Sequence, residues 1–293
     1  MDIEPSHQII EIPSIEDQDN LTFADRIRNF PWWFAGIIGI LIATYLLIFF
    51  NPNFRDAFLF IITGLWVTVS ISLISYAIAL VLGLLSGMGR ISRNFVFRNI
   101  ATFYIELIRG VPMLVLIFFI AFVLVPGAIT AIQQFGIFLE NAGLESIGGV
   151  FASLDPRSFS FYWRAVIALS LTYGAFLAEI FRAGIESIEK GQMEAARSLG
   201  MSYGNSMRYV ILPQAIRNVL PALANDFVAM VKDSSLVSVL AVRDITQIAR
   251  LYAGRSFRFK EAYSVLTVLY LTLTVILSLS IRFVERRMRR DAR

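Results

Sequence analysis

Cysteine is absent from the 293 residues, and histidine occurs once, as His7 in a polar N-terminal stretch. Neither a disulfide framework nor a His/Cys zinc site can be built from that inventory. Lysine is almost as scarce: Lys190, Lys232 and Lys260 complete the set. None follows a glycine, whereas a Walker A loop requires Gly-Lys followed by Ser or Thr. ATP must then be bound by a separate chain if it drives anything here. Charge of either sign is thin, at 16% of residues against 57% hydrophobic, with a mean hydropathy of +0.67. A soluble domain of this length is far less apolar. The sequence opens on Asp2 and Glu4 rather than on a basic cluster before a short apolar run, so no cleaved secretory signal is expected.

What is there is long apolar sequence. Pro31–Phe50, Ala57–Gly89, Gly110–Leu139 and Ala262–Ile281 are uncharged, and each can cross about 30 Å of hydrocarbon, which takes roughly 20 helical residues. Pro126 and Gly127 interrupt the third, which predicts a helix end there and the start of an external loop. Phe161–Phe181 carries Arg164 and Glu179, and Ile216–Leu240 carries Arg217, Asp226, Lys232 and Asp233. Six crossings result, an all-α polytopic membrane protein with both termini on one side. Placing the termini in the cytoplasm leaves about twice as many basic residues inside as outside, as positive loops prefer. The segment Val242–Lys260 strains that choice, because it lies outside with five basic residues. The arginine-rich tail from Arg282 reads as an anchor near anionic membrane lipid rather than as a nucleic-acid site. Residues 1–30 form a polar cytoplasmic segment, 31–56 an extra span and loop, 57–287 the main domain and 288–293 a basic tail. Within the main domain, 127–160 is an external insertion that holds a short helix around Ala128–Leu139. No internal repeat of the kind found in many secondary transporters is evident.

The loop 185–213 is the most legible segment. Gln192–Leu199 favours helix, Gly200 suits a left-handed cap, Ser202 can cap a second helix, and Pro213 fits the first turn of the next span. Ala195 and Ala196, flanked by Glu194 and Arg197, would let the first helix sit deep in a partner's groove. A solvated connector is the plain alternative from composition alone.

Ionisable groups within spans cost roughly 2.5 to 3.5 kcal/mol each on insertion scales. Asp226 and Asp233 are seven residues apart, two helical turns, so both carboxylates fall near one face, which predicts a polar cavity. An ion-pair network holding helices together is the competing reading, and it suits Lys232, which could pair with Glu179 or another helix.

Glu194-Ala195-Ala196, three residues, Gly200, and later Leu212-Pro213 resemble the signature loop of ABC importer permeases. Pro221–Phe227 with Val231–Ser238, Glu106–Pro112 and Tyr173–Gly184 look like core helices of the polar amino acid uptake members of that family. The matches cover about residues 57–287. The resemblance implies a five-helix type I core behind one extra helix, and a coupling helix whose residues Gln192, Glu194, Ala195, Ala196, Arg197, Gly200, Leu212 and Pro213 meet the ATPase. It implies no catalysis on the substrate and no cofactor on this chain. The implied partners are two ATP-binding subunits, a second permease (identical or related) and an external amino acid-binding protein. In some members a pocket midway across holds the amino acid. Asp226 and Asp233 fall on its positions, with Glu179, Ser234 and the backbone near Gly174 as further candidates. Val111 and Leu116 depart from the usual Thr and Gln of the second core helix, and Trp32 and Trp33 of the extra helix suit an interfacial belt. A gradient-driven transporter or channel lacks any reason for the coupling loop. A membrane enzyme would need a nucleophile–base pair or metal set that the sequence does not offer. An importer of another solute fits Val231–Ser238 less well.

Overall fold

The computed structural model describes residues 32–290, apart from the side chains of 33, 34 and 284–290. The expectations for the 1–30 segment, Trp33 and the arginine side chains beyond Arg282 lie outside those residues. The chain divides into one unit ending at Leu46 and another from Leu47 onward. The first holds most of α1 (Trp32–Phe50), of which Ala35–Phe50 is an apolar helix shorter than a full span.

From Leu47 on, the described elements are all helical. They are α2 (Pro52–Ile61), a 3-10 turn, α3 (Leu65–Arg90), α4 (Phe95–Arg109) and α5 (Met113–Phe119), then a π turn (Ile120–Leu124), α6 (Val125–Asn141) and α7 (Glu145–Ala152). They continue with α8 (Phe161–Glu186), α9 (Lys190–Ser198), α10 (Tyr203–Ser206), a second π turn (Met207–Ile211), α11 (Leu212–Asp233), a 3-10 segment (Ser234–Leu240), α12 (Ile245–Ser256) and α13 (Phe259–Arg290). Among the described residues four segments are long and apolar enough to cross a membrane: Pro52–Arg90, Met113–Asn141, Phe161–Glu186 and Phe259–Phe283. The remaining expected crossing, Ile216–Leu240, is α11 with its 3-10 extension, and its four charged residues keep it out of that apolar set.

The centre of the bundle is α8. Within its most apolar stretch 72% is buried by the chain itself, against 17% for α13, so α8 faces protein and α13 faces outward. Its main neighbour is α3, which places Ser75, Ala79, Gly83 and Gly87 at every fourth position of its buried face. Apolar association gains little inside a bilayer, so close backbone approach through small residues takes over. A Cβ at Gly83 would stand 2.6 Å from Leu177 Cβ, which no side chain tolerates.

The expected helix end at Pro126 is corrected by the structure: the helix runs on to Asn141, and α7 folds back on it. The cause is local. In the π turn the Val125 N–H bonds to Ile120, five residues back. The same pattern would have residue 126 donate to Ala121, and proline has no N–H. Arg164 Nη1 supplies that bond instead, at 3.0 Å from the Ala121 carbonyl. Its other nitrogens donate to Phe159 O at 3.0 Å and Pro156 O at 2.5 Å, and its guanidinium lies over the Phe161 ring. A buried cation in a span is thus satisfied by three carbonyls and a π face rather than by a carboxylate. Pro213 repeats the pattern, because it too stands two residues past the end of a π turn and the helix passes through it without opening there.

Asp244, outside the four spanning segments, caps α12. Its Oδ1 accepts the Gln247 N–H at 2.8 Å, while the next N–H, of Ile245, donates to Thr68 at 3.1 Å. Asp244 is fully buried, and burial pushes its carboxyl from the ordinary 3.8 up to about 6, despite hydrogen bonds that pull the other way. The folded chain therefore holds the proton more tightly than the unfolded one. Stability on this account is greatest below about pH 4, falls as pH rises to about 6, and stays at the lower level above that. Asn preserves the cap without the charge. Asp244→Asn is expected to raise thermal stability in detergent at pH 7.5, by up to about 3 kcal/mol for two pK units, and to flatten the profile between pH 4 and 6. An unchanged profile would refute the assignment.

Candidate functional site

Two sites emerge, one at each position the sequence singles out. At the first, α9 spans Lys190–Ser198, one residue off the expected helix at its C-terminal end. Gly200 takes the left-handed conformation at φ 82°, and Met201 N–H reaches back to the Ala196 carbonyl at 3.2 Å, which closes the helix. Ser202 caps α10 by accepting from Asn205 N at 3.2 Å. Ile185, Met207, Ile211 and Ala215 form a small core beneath, with Met193 packed on it. That core sets which face of α9 is free.

Gln192, Glu194, Ala195 and Arg197 point outward, whereas Ala196 is 4% exposed and faces its own chain. Of the two alanines expected to present a small surface to a partner, only Ala195 is exposed. Leu199, which the sequence reading passed over, is 84% exposed. Its signal was a leucine beside a helix-ending glycine, where no intrachain contact can cover it. Arg197 is tied to the Met201 carbonyl at 3.0 Å, and Pro213 is exposed while Leu212 is half-buried. Arg93, from the turn between α3 and α4, lies over the Tyr203 ring at 5.7 Å and joins that turn to the loop.

At the second site, Asp226 and Asp233 of α11 lie toward α3 and α8. Tyr173 Oη donates to Asp233 Oδ2 at 2.7 Å. Asp226 is close enough to Tyr76, Tyr173 and Asp233 to interact electrostatically. Its Oδ2 is buried, with no hydrogen-bond partner among the described residues. Tyr76 Oη is already committed, donating to the Leu223 carbonyl at 2.5 Å. No arginine or lysine among the described residues is paired with either carboxylate. The two tyrosines are the groups that the sequence reading missed, and only the packing of three helices reveals them.

The other candidates lie elsewhere. Glu179 does not meet Lys232: it is bonded to Arg90 and, at 2.9 Å, to Arg182, with Arg109 at 4.0 Å. Arg90 also holds Glu106 at 2.7 Å, and Arg182 holds Glu186 at 2.5 Å, so these groups form one network joining α3, α4 and α8. Three arginines surround Glu179, whereas Lys232 is exposed and has no ion pair among the described residues. Ser234 is fully buried, with its hydroxyl spent on Val231 O at 2.7 Å. Gly174 is covered by Tyr104, whose Oη would stand 2.7 Å from a Cβ there.

Comparison with known proteins identifies the family. The family described as "Binding-protein-dependent transport system inner membrane component" matches residues 79–290. The glutamine transport system permease protein of Escherichia coli (strain K12) is 35% identical over 229 residues, covering 78% of this chain and 93% of the relative. The arginine transport system permease protein of Bacillus subtilis (strain 168) is 32% identical over 230 residues, with the same two coverages. Among solved structures, an amino acid ABC transporter crystallised with histidines superposes with a TM-score of 0.62 at 32% identity, covering 83% of this chain and 97% of that one. The chain therefore belongs to the binding-protein-dependent transport system inner membrane components, the membrane-integral permease subunits of ABC importers that work with a separate ATPase and a substrate-binding protein.

Proposed function

We propose that this chain is the permease of an amino acid importer in a bacterial cytoplasmic membrane, with both termini in the cytoplasm and residues 57–287 as the transport domain. Two permeases, each docked on an ATPase through the 190–213 loop, alternate between inward-open and outward-open shapes. The ATPase dimer's differing affinity for the two shapes drives the switch. The substrate arrives from an external binding protein and is held at Asp226 and Asp233. The relatives named above, for glutamine and for arginine, support the substrate class.

The observation that carries the reading is the carboxylate pair: two acids on one helix face, one with a buried oxygen unpartnered among the described residues, and no basic side chain among those residues bonded to either. A buried charge of that kind is costly without a compensating cation. An α-ammonium or a cationic side chain supplies one. Reconstitution with the ATPase, followed by ATPase stimulation across binding proteins loaded with different amino acids, tests the function. In the same assay Asp233→Asn is expected to cut stimulation and uptake at least tenfold, a loss of about 1.4 kcal/mol, while the complex still assembles. Unchanged transport by that variant would remove Asp233 from the substrate's path.

A further inference from the structure

Helix α4 has two apolar faces. Ala101, Ile105 and Ile108 pack inward, while Val96, Ile100, Phe103 and Leu107, at spacings of four, three and four, stay exposed. A groove of about 660 Å³ separates α4 from α3, walled by Leu82, Leu85, Phe97 and Ile100, with Ser86 and Ser92 toward the α3 end. On the other flank of α4 a second groove, of about 520 Å³, is lined by Val111, Val115, Phe119 and Leu124. Tyr104 and Leu171 line both, and Tyr104 Oη donates to the Leu171 carbonyl at 2.6 Å where the two meet. The first of them is a trough between α3 and α4, walled by apolar side chains from Phe97 to Tyr104 and Leu82.

We propose that this trough holds an acyl chain of a phospholipid whose anionic headgroup rests on Arg93 and Arg98 at its Ser92 end. The proposal rests on the orientation given above, which puts that end at the cytoplasmic surface. The lining is chemically an acyl-chain site: Leu82, Leu85, Phe97, Ile100 and Ala101 are apolar, and the serines stand at positions 86 and 92. The mouth is the opposite. Arg93 and Arg98 are exposed and have no carboxylate partner among the described residues, unlike Arg90 and Arg109, which the Glu179 network engages. Basic groups at the cytoplasmic edge of a groove between membrane helices favour anionic headgroups. Because Arg93 also lies over Tyr203, a headgroup there would stand beside the loop that docks the ATPase.

Native mass spectrometry of the complete permease–ATPase complex, exchanged into mixed phosphatidylglycerol and phosphatidylethanolamine, reads this directly and needs no transport. The parent complex is expected to retain phosphatidylglycerol in preference by about tenfold. The exposed pair Arg93→Gln with Arg98→Gln should erase the preference while leaving occupancy, and Ser86→Trp, which fills the trough, should erase occupancy. Equal retention of both lipids, no retained lipid, or a changed number of permease copies on Ser86→Trp would overturn it, the last by showing that a second chain covers the trough. The orientation is checked separately: the chain has no cysteine, so Asn94→Cys should react with an impermeant maleimide only in inside-out vesicles. Reaction in right-side-out vesicles would defeat the orientation and with it the headgroup assignment.

Discussion

Leu199→Asp is expected to abolish recovery of the ATPase with the permease while the permease still inserts and folds. A leucine that is 84% exposed, at the tip of a loop closed by a left-handed glycine, has no role in the chain's own packing. Its neighbours divide the work: Met193 packs on the core formed by Ile185, Met207 and Ile211, and Ala196 is buried, while Leu199, Glu194 and Ala195 stay outward. Burying a leucine in a partner's groove contributes about 1.5 to 3 kcal/mol, and forcing a carboxylate into the same place costs more. The affinity loss should therefore exceed tenfold by about another order of magnitude. Leu199→Ala should fall between the parent and Leu199→Asp, and Ala195→Trp should block docking sterically. Pull-down of the ATPase from solubilised membranes reads all three, with the melting temperature of the permease alone as control. Full recovery with Leu199→Asp would remove α9 from the interface.

The sequence displayed the repetitive parts of this architecture and concealed the crossed ones. Apolar length is a local property, and it marked the spans; glycine and serine at helix ends act on their own neighbours, and they marked Gly200 and Ser202. The seven-residue interval between Asp226 and Asp233 likewise lies within one helix. By contrast, Tyr173 reaches Asp233 from a helix sixty positions away, and no periodicity within α8 reports it. Lys232 and Glu179 looked like partners because both are rare charges in apolar sequence. Arg90, Arg109 and Arg182 lie nearer to Glu179 in the fold, and they surround it. The interval of four among Ser75, Ala79, Gly83 and Gly87 is present in the sequence, yet it stands inside a run so uniformly apolar that the small residues do not stand out.

Pro126 misled for a more instructive reason, and it leads to the largest expected loss of stability. Proline ends a helix because its missing N–H and its ring disturb the preceding turn. Here a π turn absorbs the ring, and an arginine from another helix supplies the missing donor. Arg164 and Pro126 are therefore one device, and neither is interpretable alone in the sequence. Arg164→Met keeps the volume and removes every donor, which leaves the carbonyls of Ala121, Pro156 and Phe159 short of a partner inside the protein. At about 1 to 3 kcal/mol for a buried unsatisfied group, which applies in full to Ala121 and in part to the half-buried Pro156 and Phe159, the variant should lose about 3 kcal/mol and accumulate poorly in membranes. Arg164→Lys should recover only part, because an ammonium cannot span three carbonyls set for a planar fork. Thermal inactivation in detergent measures the loss. Hydrogen exchange places it: protection should fall first at residues 120–126, where the π turn depends on the arginine. A variant of Arg164→Met that melts with the parent would show that water or lipid satisfies Ala121 equally well, and the continuity of the helix through Pro126 would need another cause.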